Sequence, residues 1–483
     1  MITFWEYFDM VTALLVLISG IFASVHALMT KEESATALGW VAVCIGIPMV
    51  GVILYLLFGI NRITMLARDW ETRGRWNPDN TKVEANKSVF VKAVYEVFDE
   101  KTFHALVNTS NRVCDNPLLD GCHVQPLYDG TSAYPRMLEA IDRAKQSVYL
   151  STFIFSRKGI GETFIHSLHE AHRRGVEVKV LIDGVGGLYS LPTAHRKLKK
   201  MGVPVALFLP PFRSWYYTLH FNLRNHHKIL VADGEIAFTG GMNISDKNFA
   251  TVNKPPEIHD IHFSVEGPVV GQIQDVFLRD WYFSTRDKER KVIYYDNAAK
   301  GQALCRGVAA GPNMKHTNLQ WMLYAAVNGA KSNIRIMTPY FILSPDLRAA
   351  LIAASLRGVT VEVILPLKNN WMQVKWASES MLSGLAEYGV RLFYHVGTFF
   401  HSKIMLIDDF CAYIGSANLD TRSLRLNFEF NLEVYSHSLN TDLVAHFESV
   451  KLNCRPITLE WLYSRPFIVK LRNSFFRLFA PYL

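Results

Sequence analysis

What this chain has little of narrows its chemistry first. Its cysteines (Cys44, Cys114, Cys122, Cys305, Cys411 and Cys454) are scattered and form no C-x-x-C pair. Cys114 and Cys122 stand near enough in sequence to meet, yet the pattern reads as reduced or buried thiols rather than a disulfide framework. No group of carboxylates has metal-ligand spacing, so neither a metal nor a cofactor is expected. His166, His169 and His172 recur on one predicted helix, but no carboxylate or cysteine accompanies them, and they read as a solvated helix face. Asp183-Gly184-Val185-Gly186-Gly187 follows a predicted strand without completing G-x-G-x-x-G, and reads as a turn. Acidic residues are in deficit. The 51 Lys and Arg outweigh 43 Asp and Glu, giving a formal charge of +8 and a pI near 9.0. That balance suggests an anionic partner, either nucleic acid or an acidic membrane surface.

Charge is absent from most of the first sixty residues. Met10 to Thr30 carries none apart from His26, and at about 1.5 Å per residue this run covers the ~30 Å of a bilayer core. A polar break at Lys31-Glu32-Glu33 precedes a second uncharged run, Ser34 to Ile60, containing Gly46, Pro48 and Gly51. A cleaved signal would begin with basic residues, whereas this chain has Glu6 and Asp9 there, and a second apolar run follows at once. Two membrane helices over 1–62 are therefore expected. Arg62, Arg68, Arg73 and Arg75 follow the second run, while the loop between the runs has only Lys31 as a base. The positive-inside rule then puts both termini and the downstream region in the cytoplasm.

The remaining chain is long enough for two domains, and it repeats itself. His-x-Lys-x4-Asp occurs at His226-Lys228-Asp233 and again at His401-Lys403-Asp408. Each copy runs on to a glycine turn, Gly240-Gly241-Met242-Asn243 and Gly415-Ser416-Ala417-Asn418. Upstream, the segment from Arg174 to Leu181 matches that from Arg357 to Ile364. Downstream, the segment beginning at Asp260 matches that beginning at Glu429. Each half alternates β-branched runs with helix-like stretches, the signature of an α/β layer fold. The expected fold class is thus α/β, with two duplicated domains packed face to face to form one pseudo-two-fold site, preceded by two transmembrane helices. Expected boundaries are 63–119 for a juxtamembrane region, 120–295 and 296–455 for the two domains, and 456–483 for a tail.

The motif also divides its labour. Read as strands, positions i and i+2 share a face, so His226 points with Lys228 and His401 with Lys403. Asp233 and Asp408 lie an odd number of residues further on, at a turn, and are expected to support the backbone from the other side. Imidazole is largely neutral near pH 7, and two lysines nearby would keep it so while neutralising phosphate oxygens. Asn243, Ser416 and Asn418 are candidate further donors to those oxygens. A carboxylate is needed to fix each imidazole's tautomer, and Asp260 and Glu429 occupy equivalent places in the repeat. Sequence does not say which acid serves which histidine. One histidine attacking and the other protonating the leaving oxygen would need no metal.

Two complete motifs over roughly residues 120 to 455 resemble the phospholipase D superfamily, and the membrane helices ahead of them make the chain most similar to the bacterial cardiolipin synthases. His227 stands where that family commonly has Arg. The resemblance implies transfer of a phosphatidyl group between two phosphatidylglycerol molecules, giving cardiolipin and glycerol through a phosphatidyl-histidine, with His226 the expected nucleophile. It also implies a multi-pass enzyme of the bacterial inner membrane, with phosphatidylglycerol and the membrane as partners and no nucleic acid. A membrane-bound hydrolase of the same superfamily is the alternative. A nucleic-acid phosphodiesterase is permitted by charge but disfavoured by the apolar N-terminus, and a binding-only module by the intact motifs.

Two further segments have two readings each. Leu209 to Arg224 interleaves Phe212, Trp215, Tyr216 and Tyr217 with Arg213, as either a lipid-interface loop or an ordinary inter-strand loop. The tail from Trp461 to Leu483 spaces Arg465, Lys470, Arg472 and Arg477 among phenylalanines and leucines. It suits a basic amphipathic helix on anionic lipid, or one packed on the catalytic body.

Overall fold

The computed structural model describes residues 4–31, 34–59, 100–211, 223–250, 255–287, 298–311 and 318–480. Arg62, Arg68, Arg73 and Arg75, and Phe212 through Tyr217 with their aromatics, lie outside the described residues. The chain divides into two units, 1–80 and 81–483.

In the first unit the uncharged start forms one helix, Phe4–Thr30. Within it, Tyr7–Thr30 is the one segment among the described residues long and apolar enough to cross a membrane. The second apolar run does not form a single helix of that length. It breaks at Ile47 (φ −135°, ψ 69°) into Ser34–Gly46 and Pro48–Leu54, followed by a π-helical turn, Tyr55–Gly59. Pro48 causes the break. It has no N–H to donate and its ring clashes with the preceding turn, so it is tolerated only where a helix begins. The pieces fold back on the first helix through small residues: a Cβ on Gly20 would lie 2.8 Å from the Cys44 carbonyl oxygen. Ala23, Ala27, Cys44 and Tyr55 are buried between them, and the Tyr55 hydroxyl lies 2.7 Å from His26 Nδ1. Lys31 Nζ donates to the Gly59 carbonyl at 2.5 Å. Leu14, Ile18 and Phe22 remain exposed.

The second unit carries the repeat. Its first half contributes strands β1 (Leu119–Tyr128), β2 (Ser147–Thr152), β3 (Glu177–Asp183), β4 (Val205–Phe208), β5 (Ile229–Ala232), β6 (Ile236–Gly240) and β7 (Ile261–Glu266). The second half contributes β8 (Ala303–Ala310), β9 (Asn333–Met337), β10 (Thr360–Pro366), β11 (Arg391–His395), β12 (Ile404–Ile407), β13 (Cys411–Gly415) and β14 (Glu429–Tyr435), with β15 (Cys454–Pro456) at its edge. The first half is ordered β1-β7-β6-β5-β2-β3-β4, and the second β8-β14-β13-β12-β9-β10-β11, the same order with seven added to each label. In both, three parallel strands join an antiparallel set, and the motif strand (β5 or β12) sits at the junction. The two halves are joined edge to edge through β1 and β8, whose pairing is limited to Leu119 with Cys305 and Cys122 with Ala303. A continuous sheet therefore replaces the simple face-to-face stack expected from sequence.

Each half buries its own core, one around Leu150, Phe164, Val180 and Phe238, the other around Ile336, Leu351, Val363 and Ile407. Helices Ile160–Arg173 and Pro345–Leu356 cover equivalent positions. The first keeps His166 on its exposed face, and all six cysteines are free. Helix Glu100–Val113 is fastened to the second half by a buried charge. Glu433 accepts from Ser110 (2.8 Å), Tyr435 (2.8 Å) and Tyr413 (3.1 Å), and it meets Arg306 Nε at 3.1 Å, both side chains being fully buried. Removing one member of a buried pair strands the other. Glu433→Leu is expected to cost about 3–5 kcal/mol, read as a lowered thermal midpoint of the detergent-solubilised protein. An unchanged midpoint would refute this role.

Candidate active site

The two motif histidines stand in extended segments just ahead of β5 and β12, and each is held by the opposite half of the molecule. His226 N donates to the Phe428 carbonyl (2.9 Å), and its Nδ1 lies 2.9 and 3.0 Å from the two carboxylate oxygens of Glu429. His401 N donates to the His259 carbonyl (2.6 Å), and its Nδ1 lies 3.0 Å from Asp260 Oδ2. Each histidine is thus bound through its backbone by one residue of the other half, and through its ring by the next. The acids cross over, a pairing that the linear repeat did not reveal. An ionised carboxylate only accepts, so Nδ1 carries the ring proton and Nε2 keeps its lone pair. Both histidine side chains are 12% exposed and both acids fully buried. The two imidazoles are close enough to act on each other electrostatically, so the arrangement brings two nucleophilic nitrogens into one site.

The lysines accompany them. Lys228 Nζ donates to the His226 carbonyl at 2.8 Å. Lys403 Nζ donates to the His401 carbonyl and lies 2.8 Å from His401 Nδ1. Asp233 and Asp408 sit at the far ends of their strands, in left-handed turns with φ of 54° and 50°. Asp233 accepts from the backbone N–H groups of Lys145, Gln146 and Ser147 at 2.7–2.8 Å. Asp408 accepts from those of Lys331, Ser332 and Asn333, with shortest distances of 3.1, 2.7 and 2.9 Å. Both fasten the turn that starts the neighbouring strand.

The glycine-turn residues are placed differently from one another. Ser416 Oγ donates to Glu429 Oε2 at 2.6 Å, so its proton holds the acid and is not aimed at a phosphate oxygen. This departs from the donor role expected for it, and the cause is reach: Glu429 extends one methylene further than Asp260. At the equivalent position a Cβ on Gly241 would come within 2.2 Å of Asp260 Oδ1. Asn243 Oδ1 accepts from the Ile154 N–H (3.1 Å), and Asn418 Nδ2 donates to Ser423 Oγ (3.2 Å). Both side chains thus brace neighbouring loops. His227 is buried and bonded to Asp280 Oδ2 (2.7 Å), on the helix Val269–Thr285. The Asp183 loop is a turn, its carboxylate accepting from Val185 N (2.9 Å) and Gly186 N (2.8 Å).

Burial governs the electrostatics. It pulls Lys228 down to about 7 and Lys403 to about 8, against the opposing pull of Glu429 and Asp260. Burial and then Lys403 take His401 down to about 4. Burial, Lys228 and Lys403 hold His226 well below the usual histidine value. Glu429 is pushed up to about 7 by burial. This is a dry, cationic site with neutral imidazoles, fitted to an anion. Among the described residues, no group of three or more His, Cys, Asp or Glu is placed to hold a metal ion.

Sequence reasoning missed the walls and several supports. Phe153 stands edge-on to the His226 ring at 5.3 Å, and Tyr340 and Phe399 flank His401 at 6.1 and 5.9 Å. Asn427 Nδ2 donates to Glu429 Oε1 at 3.1 Å. Arg422, on the short helix Thr421–Arg425, is close enough to act electrostatically on His226, Tyr340 and Asp420. Only Arg422 left a signal, as one of two arginines between the second motif and Glu429.

An oxyanion entering this site raises the pKa of both lysines, so groups part-deprotonated at pH 8 must take up protons. Titration with tungstate at pH 8, in buffers of different ionisation heat, is expected to show uptake on the order of one proton. Binding should weaken as pH rises further. Proton release on binding would overturn this electrostatic picture.

Comparison with known proteins agrees with this geometry. The family described as "Cardiolipin synthase, PLD-like domain" matches residues 137–281 and 323–451, one motif in each segment. The family described as "Phospholipase_D-nuclease N-terminal" matches residues 18–59. "Cardiolipin synthase 1" of Staphylococcus aureus (strain COL) is 30% identical over 469 residues, 94% of this chain and 92% of that protein. "Cardiolipin synthase" of Geobacillus thermodenitrificans (strain NG80-2) is 29% identical over 482 residues, 98% and 93% of the two chains. In fold, the chain is similar to the crystal structure of phosphatidylserine synthase from Haemophilus influenzae Rd KW20. The TM-score is 0.62 at 15% identity, covering 79% of this chain and 100% of that one. The duplicated sheet, the paired motifs and these matches together make the chain a member of the cardiolipin synthase, PLD-like domain family.

Proposed function

We propose that the protein is a cardiolipin synthase, a phosphatidyltransferase that joins two phosphatidylglycerol molecules and releases glycerol. The observation that carries this reading is the pair of crossed histidine–acid contacts, which leave the Nε2 atoms of two neighbouring imidazoles unprotonated beside two lysines. In the first step Nε2 of His226 attacks phosphorus. The bond from phosphorus to the terminal glycerol oxygen breaks, and His401, which takes up a proton once the negative phosphodiester is bound beside it, gives that proton to the oxygen. In the second step His401 takes the proton from the free glycerol hydroxyl of another phosphatidylglycerol. The oxygen attacks phosphorus, the P–N bond breaks, and cardiolipin leaves. Lys228 and Lys403 stabilise the charge that develops on the non-bridging oxygens. Glu429 and Asp260 orient the rings. Asp233 and Asp408 support the turns, while Asn243, Ser416 and Asn418 hold the loops behind the site.

The architecture that goes with this reading has a membrane anchor over 1–62, a juxtamembrane region to 119, catalytic domains over 120–295 and 296–455, and the tail from 456. The anchor crosses the inner membrane twice, with the two shorter apolar helices together forming the second crossing and the catalytic domains in the cytoplasm. Tyr7–Thr30 supports the first crossing. The combined helical length of 34–59 supports the second.

Solubilised protein given phosphatidylglycerol alone should yield cardiolipin and free glycerol in equal amounts. Phosphatidic acid as sole product would instead identify a hydrolase and sink the transferase reading. His226→Ala and His401→Ala should each lower turnover by several orders of magnitude, as coupled catalytic groups do. Substantial activity in either variant would refute the two-histidine scheme. Glu429→Gln should lower turnover by about 10²–10⁴-fold with little change in KM. Asp233→Asn should act mainly on the thermal midpoint, leaving turnover within about tenfold at a temperature where it is folded. The reverse ranking would overturn the division of roles.

A further inference from the structure

The helix Phe467–Arg477 has two apolar faces, and only one of them is used by the protein. The inner face is docked. Asn473 is buried, with its Nδ2 donating to Glu379 Oε2 at 3.0 Å, and Arg465 also reaches that carboxylate. Phe476 lies 4.9 Å from Trp376, and the Arg472 guanidinium sits 4.3 Å over the same ring. Phe476 and Ala480 pack with Tyr340 against Ile342 and Val374. The outer face is bare: Phe467 is 78% exposed, Ile468 68%, Leu471 51%, Phe475 52% and Leu478 71%. At about 100° per residue these five fall within an arc of about 100°. Arg472 borders that arc on one side, and Lys470 and Arg477 on the other. From Arg465 to Leu483 there is no acidic residue.

We propose that this helix lies on an anionic phospholipid surface, with its outer apolar face in the headgroup–acyl boundary and Lys470 and Arg477 on the lipid phosphates. Charge complementarity singles out this occupant. A stripe bordered on both sides by bases is repelled by a second copy of itself and attracted to an acidic bilayer. Trp371 and Met372, at the head of the helix Met372–Glu379 on which it docks, are also exposed. The inner face leads toward the candidate active site, because Tyr340 packs on the same Ile342–Val374 cluster as Phe476 and faces the His401 ring at 6.1 Å. Seating the helix on lipid therefore fixes the distance between the bilayer surface and His401. That last link to substrate delivery rests on the transferase reading; the seating itself does not.

The test uses full-length protein carrying Cys454→Ser, with Phe475→Cys bearing an environment-sensitive fluorophore, reconstituted into vesicles. In phosphatidylcholine vesicles containing phosphatidylglycerol, acyl-chain-brominated lipid should quench most of the emission. In pure phosphatidylcholine the quenching should be severalfold weaker, and adding Lys470→Glu with Arg477→Glu should abolish the difference. A label that stays in water in both vesicles would overturn the proposal. So would one shielded in detergent solution in proportion to protein concentration, which would identify a second copy as the occupant. The readout is independent of turnover, so a failure to make cardiolipin would leave it unchanged.

Discussion

The crossing of the two histidine–acid contacts is the constraint on which the rest of this structure depends. Glu429 heads the strand β14 and Asp260 immediately precedes β7, yet each orients the imidazole of the other half. The backbone repeats the exchange, since each histidine N–H is bonded to the residue before the opposing acid. Neither half can hold its own histidine in a defined tautomer. Two histidine motifs on one chain are thus a structural requirement and not a spare copy, and duplication supplies the second acid as much as the second histidine. The weak edge-to-edge joint between β1 and β8 is tolerable because these crossed bonds add a second attachment between the halves.

Such a site is costly to fold. Two lysines, two histidines and two carboxylates are removed from water, and the lysines are held far below their usual titration range as a result. Sign matters here: a lysine whose pKa falls on folding destabilises the folded state while it is charged, and that penalty fades as pH rises through the folded value. The offsetting stability comes from elsewhere, above all from two full aliphatic cores. The buried lysine charge that weakens the fold is also what would stabilise a bound phosphodiester.

Much of this was legible in the sequence because strand geometry is rigid. The period of two put His and Lys on one side, and the odd spacing to Asp put the latter at the turn, where its carboxylate now collects three backbone N–H groups. The repeat likewise exposed Asp260 and Glu429, since equivalent positions in a duplicated sheet face equivalent neighbours. What sequence could not carry was partnership across the joint, because the crossing depends on how two sheets meet and not on any local pattern. Ser416 was misread for a related reason: its bond to Glu429 follows from a single methylene's difference in reach. The second apolar run concealed a helix break because hydropathy is blind to the missing N–H of Pro48.

The same methylene makes the two histidines inequivalent. Asp260 is short, so Gly241 must leave room for its carboxylate, and one of its oxygens also accepts from the N–H of Ile261. Glu429 is longer and is held by Ser416 and Asn427 side chains in full burial, where its pKa rises to about 7. An acid raised to about 7 can share a proton with His226 during turnover. Among the described residues the aromatic walls differ as well, with Phe153 beside His226 and Tyr340 and Phe399 around His401. A site built from a repeat thus acquires direction from its unrepeated details, and direction is what an enzyme needs if one histidine is to hold the phosphatidyl group while the other handles protons.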